Sequence, residues 1–207
     1  MYMEIEELKK IVPAVQSMEE YAASLPKDEP SVILRNYNEP TTPRWLEKDV
    51  ELFDFDENPR PADDVTNAYG TKPNVPGVNI VNAIKAALGP GNYALHISDG
   101  SYTGYSIWEL NEFMKNFDNT NLRVWIPEVF DCDDFSQVLQ GHVNGFFPGI
   151  AFGTIWYGPK NPPFNWGHSV NLFYSYTPHN RVFLVEPQSD KFYVFDQKKW
   201  RAWMVII

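Results

Sequence analysis

A chain of 207 residues with 43% hydrophobic, 15% aromatic and 21% charged residues can bury a core without cross-links and is too poor in charge to be disordered. Its net charge of -10 and pI near 4.8 argue against nucleic acid as a partner, because phosphate binding needs clustered Lys and Arg. One cysteine excludes an intrachain disulfide, and no apolar run of about 18 residues offers a membrane span. The start MYMEIEELKK lacks the charged-then-apolar pattern of a secretory signal, so a cytoplasmic or particle-associated place is expected over secretion.

Leu8, Ile11, Val12, Val15 and Tyr21 predict a kinked helix over Ile5–Ser24, broken near Pro13. Pro26 to Pro76 is rich in Pro, Asp, Glu and Asn and reads as loop, with short strands near Val32–Arg35 and Glu51–Phe55. A helix over Asn79–Leu88 stops at Gly89-Pro90, and a strand over Tyr93–Ser98 follows. Ser106 and Glu109 form a capping box ahead of an apolar face of Ile107, Leu110, Phe113, Met114 and Phe117. Leu122–Trp125 reads as extended. Phe135, Val138, Leu139 and Val143 then mark a helix that ends near Gly145, with Cys132 at or just before its first turn. The remainder reads as strands over Ile150–Tyr157, His168–Tyr174, Arg181–Glu186 and Lys191–Phe195, with a final strand in Trp200–Ile207. This order predicts an α+β fold, in which a helical part carrying the cysteine precedes an antiparallel sheet. Residues 1–90 are expected to be an N-terminal helical and Pro-rich acidic segment, either separate from or part of the same domain as the core over 91–207.

The chemistry centres on VFDCDDFSQ, where the only cysteine stands among three aspartates. Of the four histidines, only His168, in WGHSVNLFY, opens a strand in a context that looks built. If the strands from His168 and to Glu186 form a hairpin with a Ser175–His179 loop, Leu172 faces Val182, Val170 faces Leu184 and His168 faces Glu186. The carboxylate would then orient the imidazole, the role of the third group in a nucleophilic triad, and the helix start and His168 would both favour a negative sulfur. Gln137 and Trp125 are only guesses for an oxyanion donor. The aspartates oppose a thiolate by repulsion. A hard divalent cation held by Asp131, Asp133 and Asp134 with Glu186 and Gln188 would offset them, although acidic residues are also favoured in any first helical turn.

Trp125 seven residues before the cysteine, Cys132-Asp-Asp-Phe135, Trp166-Gly-His168 with Asn171, and Val185-Glu-Pro-Gln188 together resemble the agglutinin-related family. Its type is the papain-like, calcium-dependent cysteine protease domain at the C-terminus of Marasmius oreades agglutinin. The likeness covers Trp125 to Phe195, about a third of the chain. It implies a papain-like core with Cys132 as nucleophile, His168 as general base and acid and Glu186 as orienting residue. It also implies calcium held by Asp133, Asp134, Glu186 and Gln188, and a cleft bordered by Trp125, with Trp166 beside it. The β-trefoil that precedes that domain has no counterpart in residues 1–90.

The resulting expectation is a cysteine peptidase acting on a protein or peptide through a Cys-His-Glu triad. Two alternatives stand beside it: an acyl transferase or amidase of transglutaminase type, and a non-enzymatic structural or binding protein with a calcium-stabilised papain-like fold. Neither nucleic acid nor membrane is an expected partner. The oligomeric state, including a homodimer, stays open.

Overall fold

Apolar spacing sets the first described helix of the computed structural model, which describes residues 50–61, 72–126, 129–162, 166–177 and 180–207. Helix α1 (Gly77–Leu88) buries Ile80, Ile84 and Leu88 along one stripe and ends at Gly89, whose φ of 74° lies in the left-handed region that glycine adopts without strain. It begins two residues earlier than its spacing predicts. The chain divides into two units, Met1–Glu39 and Pro40–Ile207, and every described residue lies in the second. The helix expected at Ile5–Ser24 and the strand at Val32–Arg35 fall outside the described residues.

Before α1, strand β1 (Asn74–Pro76) pairs antiparallel with β3 (Ser101–Thr103) in a small two-stranded sheet. Between them, β2 (Ala94–His96) joins the main sheet. Helix α2 (Ile107–Asn116) carries the expected capping box: the Ser106 hydroxyl accepts from the Glu109 N–H and the Glu109 carboxylate accepts from the Ser106 N–H. Ile107, Leu110, Phe113 and Met114 are buried as expected, whereas Phe117 lies past the helix end and stays 69% exposed. The expected extended Leu122–Trp125 is entered through a 3-10 turn at Thr120–Leu122.

Helix α3 (Cys132–Phe146) is followed by β4 (Phe152–Pro159), β5 (His168–Ser175), β6 (Arg181–Glu186), β7 (Lys191–Tyr193) and β8 (Trp200–Ile206). The strand order is β2-β8-β4-β5-β6-β7, with β2 and β8 parallel and the other pairs antiparallel. Leu52 adds one antiparallel bridge to Tyr193 beyond β7, where a short strand over Glu51–Phe55 was expected. Alternation splits the sheet's residues between two cores. Ile155, Tyr157, Val170, Leu172 and Leu184 join α1 in one, and Phe152, Phe173, Phe183 and Val185 join α2 and α3 in the other.

The expected fold class is corrected here. Among the described residues a sheet-dominated layout with few helices replaces a helical half followed by an antiparallel sheet, and the central six-stranded sheet is mixed. The physical reason is the final strand: WRAWMVII inserts between β2 and β4 instead of closing an edge, so a strand from ahead of the cysteine helix joins the same sheet. Periodicity identifies strands but carries no information on such insertions.

Candidate functional site

Asp131 and Asp134 explain how α3 starts where it does. Asp131 is the N-cap, its carboxylate accepts from the first-turn backbone, and the Asp134 carboxylate accepts from the Asp131 N–H at 3.1 Å. This reciprocal box satisfies N–H groups that a helix start leaves unpaired and sets Cys132 as the first helical residue. Two of the three aspartates around the thiol therefore have a structural task. Asp133 has a different situation: a hydrogen bond with Asp131, then partial burial, then the Asp131 charge raise its carboxyl above the usual range.

A polar seam fixes α3 against the sheet. The Asn171 amide on β5 donates to the Ser136 carbonyl at 2.8 Å and the Gly153 carbonyl at 3.1 Å. The Ser169 hydroxyl donates to the Ser136 hydroxyl, which itself donates to the Cys132 carbonyl at 2.7 Å, and Thr154 on β4 donates to Gln140. Ser136, Ser169 and Asn171 are all buried. The Asn171 side-chain oxygen is left without a hydrogen-bond partner among the described residues, but the bonds that the seam does make oppose sliding of the helix and so hold the thiol in place. Sequence reasoning registered Asn171 and missed Ser136 and Ser169; the four-residue step from Cys132 to Ser136 was the available signal.

His168 opens β5, 5% exposed, and Glu186 closes β6 with no exposure. His168 Nε2 lies 2.8 Å from Glu186 Oε2. The pairing expected from the sequence forms, but by a different register. Leu172 faces Leu184 and Tyr174 faces Val182, a shift of two residues from the expected pairs, so His168 and Glu186 meet on the diagonal. A shift of two keeps both side chains on one face, whereas a shift of one would have separated them. The other Glu186 oxygen accepts from the Gln188 N–H at 3.3 Å.

The half-buried Cys132 thiol is in hydrogen-bond contact with the His168 ring. With Nε2 turned to Glu186, the thiol is left with Nδ1. Burial, the strongest influence on His168, draws its pKa down; the Glu186 charge and the hydrogen bonds to Cys132 and Glu186 outweigh it and raise the imidazole to about 9. The ring packs edge-on against Tyr157, whose hydroxyl lies 3.1 Å from that of Tyr193; burial drives both phenols well above their ordinary range. The site is therefore a sulfur at a helix start, a proton-holding imidazole and a buried carboxylate, walled by neutral phenols.

The other expected site residues divide. Trp125 is 45% exposed and Trp166 packs edge-on against Tyr157. Gln137 points to solvent on α3. Asp133 and Asp134 sit on the first turn of α3, Glu186 on the far side of His168, and Gln188 is buried in the turn after β6. Among the described residues, donor atoms that could share a metal ion come together at Asp131, Cys132 and Asp133, within 4.8 Å of one another.

No family model matches the chain, and no curated protein matches it. Solved structures do. A PSL1a–E64 complex matches at 20% identity and TM-score 0.56, covering 66% of this chain and 52% of that one. The Polyporus squamosus lectin bound to the human-type influenza-binding epitope Neu5Aca2-6Galb1-4GlcNAc matches at 20% identity and TM-score 0.53, covering 66% and 50%. Both are structures of a fungal lectin. The chain thus spans about half the length of each. At this identity the likeness shows the fold; it agrees loosely with the agglutinin-related resemblance, without confirming its papain-like part. The expected cysteine peptidase, with its hydrolase chemistry, is corrected by this finding: the fold is shared with proteins described as lectins, which are binding proteins. Among the described residues no helix is long and apolar enough to cross a membrane.

Proposed function

We propose that this chain is a ligand-binding protein whose site is the Cys132–His168–Glu186 centre. The observation that carries the reading is the 2.8 Å contact between two buried groups, His168 and Glu186, with a half-buried thiol against the ring. Burying an imidazole and a carboxylate is costly unless they pair, and the pair then presents a donor beside a sulfur at the protein's surface. A ligand with an electrophilic carbon next to an oxygen acceptor suits it: sulfur meets the carbon and the imidazole donates to the oxygen. Likeness to a structure that holds E64, and to a lectin that holds a saccharide, supports a binding role; peptide substrates have no support from either.

E64 is accordingly the first probe. We expect one equivalent of E64 retained per chain, seen as a single mass shift, and none retained by Cys132→Ser. Absence of binding to the native chain would remove the thiol-centred reading. Catalytic turnover of a peptide panel, lost in Cys132→Ser, would replace it with an enzymatic one.

Calcium belongs to the same proposal, at its Asp133 end. Calcium takes 6–8 oxygen ligands, so the Asp131 and Asp133 carboxylates fit as part of its shell while the sulfur does not. Asp134 and Glu186 already accept hydrogen bonds in the cap and from His168, so they would join only by sharing an oxygen. A cation would relieve the repulsion between Asp131 and Asp133. We expect calcium at ten times its Kd to add about 1.4 kcal/mol of stability and raise Tm by roughly 3–6 °C. Differential scanning fluorimetry with calcium and with EDTA checks this; an unchanged Tm, or a rise that survives in Asp133→Asn, counts against the site.

A further inference from the structure

Apart from the thiol centre, a cavity of about 330 Å³ opens where α1 ends and β8 begins, bordered by Asn92, Tyr93, Lys160, Gln197, Arg201 and Trp203. Its volume matches one or two sugar rings. For a chain of net charge -10 its lining is unusual: two cations, two amides and three aromatic side chains, Trp200 being the third, stand among apolar residues of the α1 end and β8. Lys160 donates to the Gln197 carbonyl at 2.8 Å, which fixes its stem and leaves an ammonium with further N–H groups. The Gln197 amide donates to the Ala86 and Ala87 carbonyls at 2.7 and 2.9 Å, so the wall is pinned to the end of α1.

Trp203 is set up for contact by three features that converge. The β4–β8 register slips between Trp156 and Tyr157: Trp156 faces Met204 and Tyr157 faces Ala202, so Trp203 is the extra residue of a β-bulge. Bulges re-aim a side chain. Beneath the indole stand two glycines. A Cβ at Gly158 would lie 2.6 Å from Trp203 Cζ2, and one at Gly167 2.7 Å from Cζ3, so any other residue would displace the ring. Despite this seating, Trp203 remains 37% exposed. By strand alternation Gly158 faces away from Tyr157, whose ring packs on His168, so the platform and the thiol centre lie on opposite faces of β4.

We propose that this cavity binds an acidic saccharide, with the sugar's C–H face on Trp203, its carboxylate at Arg201 and Lys160, and its hydroxyls on Asn92 and Gln197. An indole offers a flat π face to polarised C–H groups, and guanidinium and ammonium suit a carboxylate. The Asn92 amide both donates and accepts, and the Gln197 side-chain oxygen accepts while its N–H groups stay on Ala86 and Ala87. The proposal rests on the binding-protein reading but not on the thiol.

The test is titration of the full chain with 6′-sialyllactose and, as the neutral control, lactose, by calorimetry or ligand-observed NMR. Sialyllactose is expected to bind and lactose to bind at least about tenfold more weakly. Trp203→Ala is expected to weaken sialyllactose at least about tenfold, and Lys160→Ala with Arg201→Ala to reduce it to the lactose level. Cys132→Ser is expected to lose E64 retention and to bind sialyllactose as the native chain does. Far-UV circular dichroism and a melting curve identify a Trp203→Ala chain that has lost its fold; the Lys160/Arg201 variant, on the surface, then decides. Equal binding of both sugars, no binding of either, or binding that survives in the Lys160/Arg201 variant overturns the site. Binding lost in Cys132→Ser would move the saccharide to the thiol centre and also overturn it. Loss of E64 retention with sialyllactose binding intact would remove the thiol reading alone.

Discussion

Iodoacetamide is expected to label Cys132 at pH 7 about tenfold faster than free cysteine, because the protonated His168 ring lies against the sulfur. A positive charge against a sulfur favours its nucleophilic form, and the lower intrinsic nucleophilicity of a stabilised thiolate removes part of the gain. His168 keeps its proton up to about pH 9, so the positive charge beside the sulfur is present throughout the neutral range. In His168→Ala the rate is expected to fall to that of free cysteine or below. Glu186→Gln should behave similarly, because burial then dominates and the ring loses its proton. A slow rate in the native chain that becomes fast only in urea would show a structural thiol. Equal rates in the native chain and His168→Ala would show that the imidazole has no part in its reactivity.

What the sequence conveyed about this site depended on local signals. The two capping boxes are short-range, and both Ser106–Glu109 and the α3 start are where the sequence places them, because capping chemistry is decided within four residues. The three aspartates read as a cation site or as a helix start; Asp131 and Asp134 make the helix start a structural fact, while the cation stays a proposal. The His168–Glu186 contact was legible although the register behind it was not. Apolar residues at every second position of β5 and β6 make the expected register and one slipped by two residues equally good at burying one face. The choice between them falls to the turn, for which the sequence provides no decisive Gly or Asn-Gly signal. The insertion of β8 between β2 and β4 was illegible for a deeper reason. Strand order is set by which edges bury the most surface, a property of the whole chain. A final run such as Trp200–Ile207 reads the same in the middle of a sheet as at its edge. The Trp203 bulge belongs to the same class: one extra residue breaks no pattern in WRAWMVII, and its partners Gly158 and Gly167 are distant in sequence.

Replacing Glu186 is expected to have the largest effect on stability, and the effect should depend on pH in a direction fixed by His168. The imidazole is raised from 6.5 to about 9 in the folded chain. A base whose pKa rises on folding stabilises the fold fully below its unfolded value and loses that contribution as pH climbs through the folded one. The gap, at 1.36 kcal/mol per pH unit, is worth about 3 kcal/mol, present at pH 6 and gone above pH 9. In a Cys132→Ser background, which removes the Cys132 share of the His168 shift and leaves the Glu186 share, the urea midpoint is expected to fall as pH rises from 6.5. In Glu186→Gln the ring has burial against it and no carboxylate in its favour, so it should fold neutral. Its midpoint is then expected to be flat above pH 7 and to drop below it, where folding must strip a proton from the imidazole. At pH 6 the two chains should differ by about 3–5 kcal/mol, the usual cost of leaving one member of a buried pair alone, and at pH 9.5 by far less. Parallel curves would mean that Glu186 holds the backbone at the end of β6 through Gln188 rather than the charge on His168, and the proton beside the sulfur would need another keeper. Converging curves would tie the fold's stability to the same proton that sets the reactivity of Cys132.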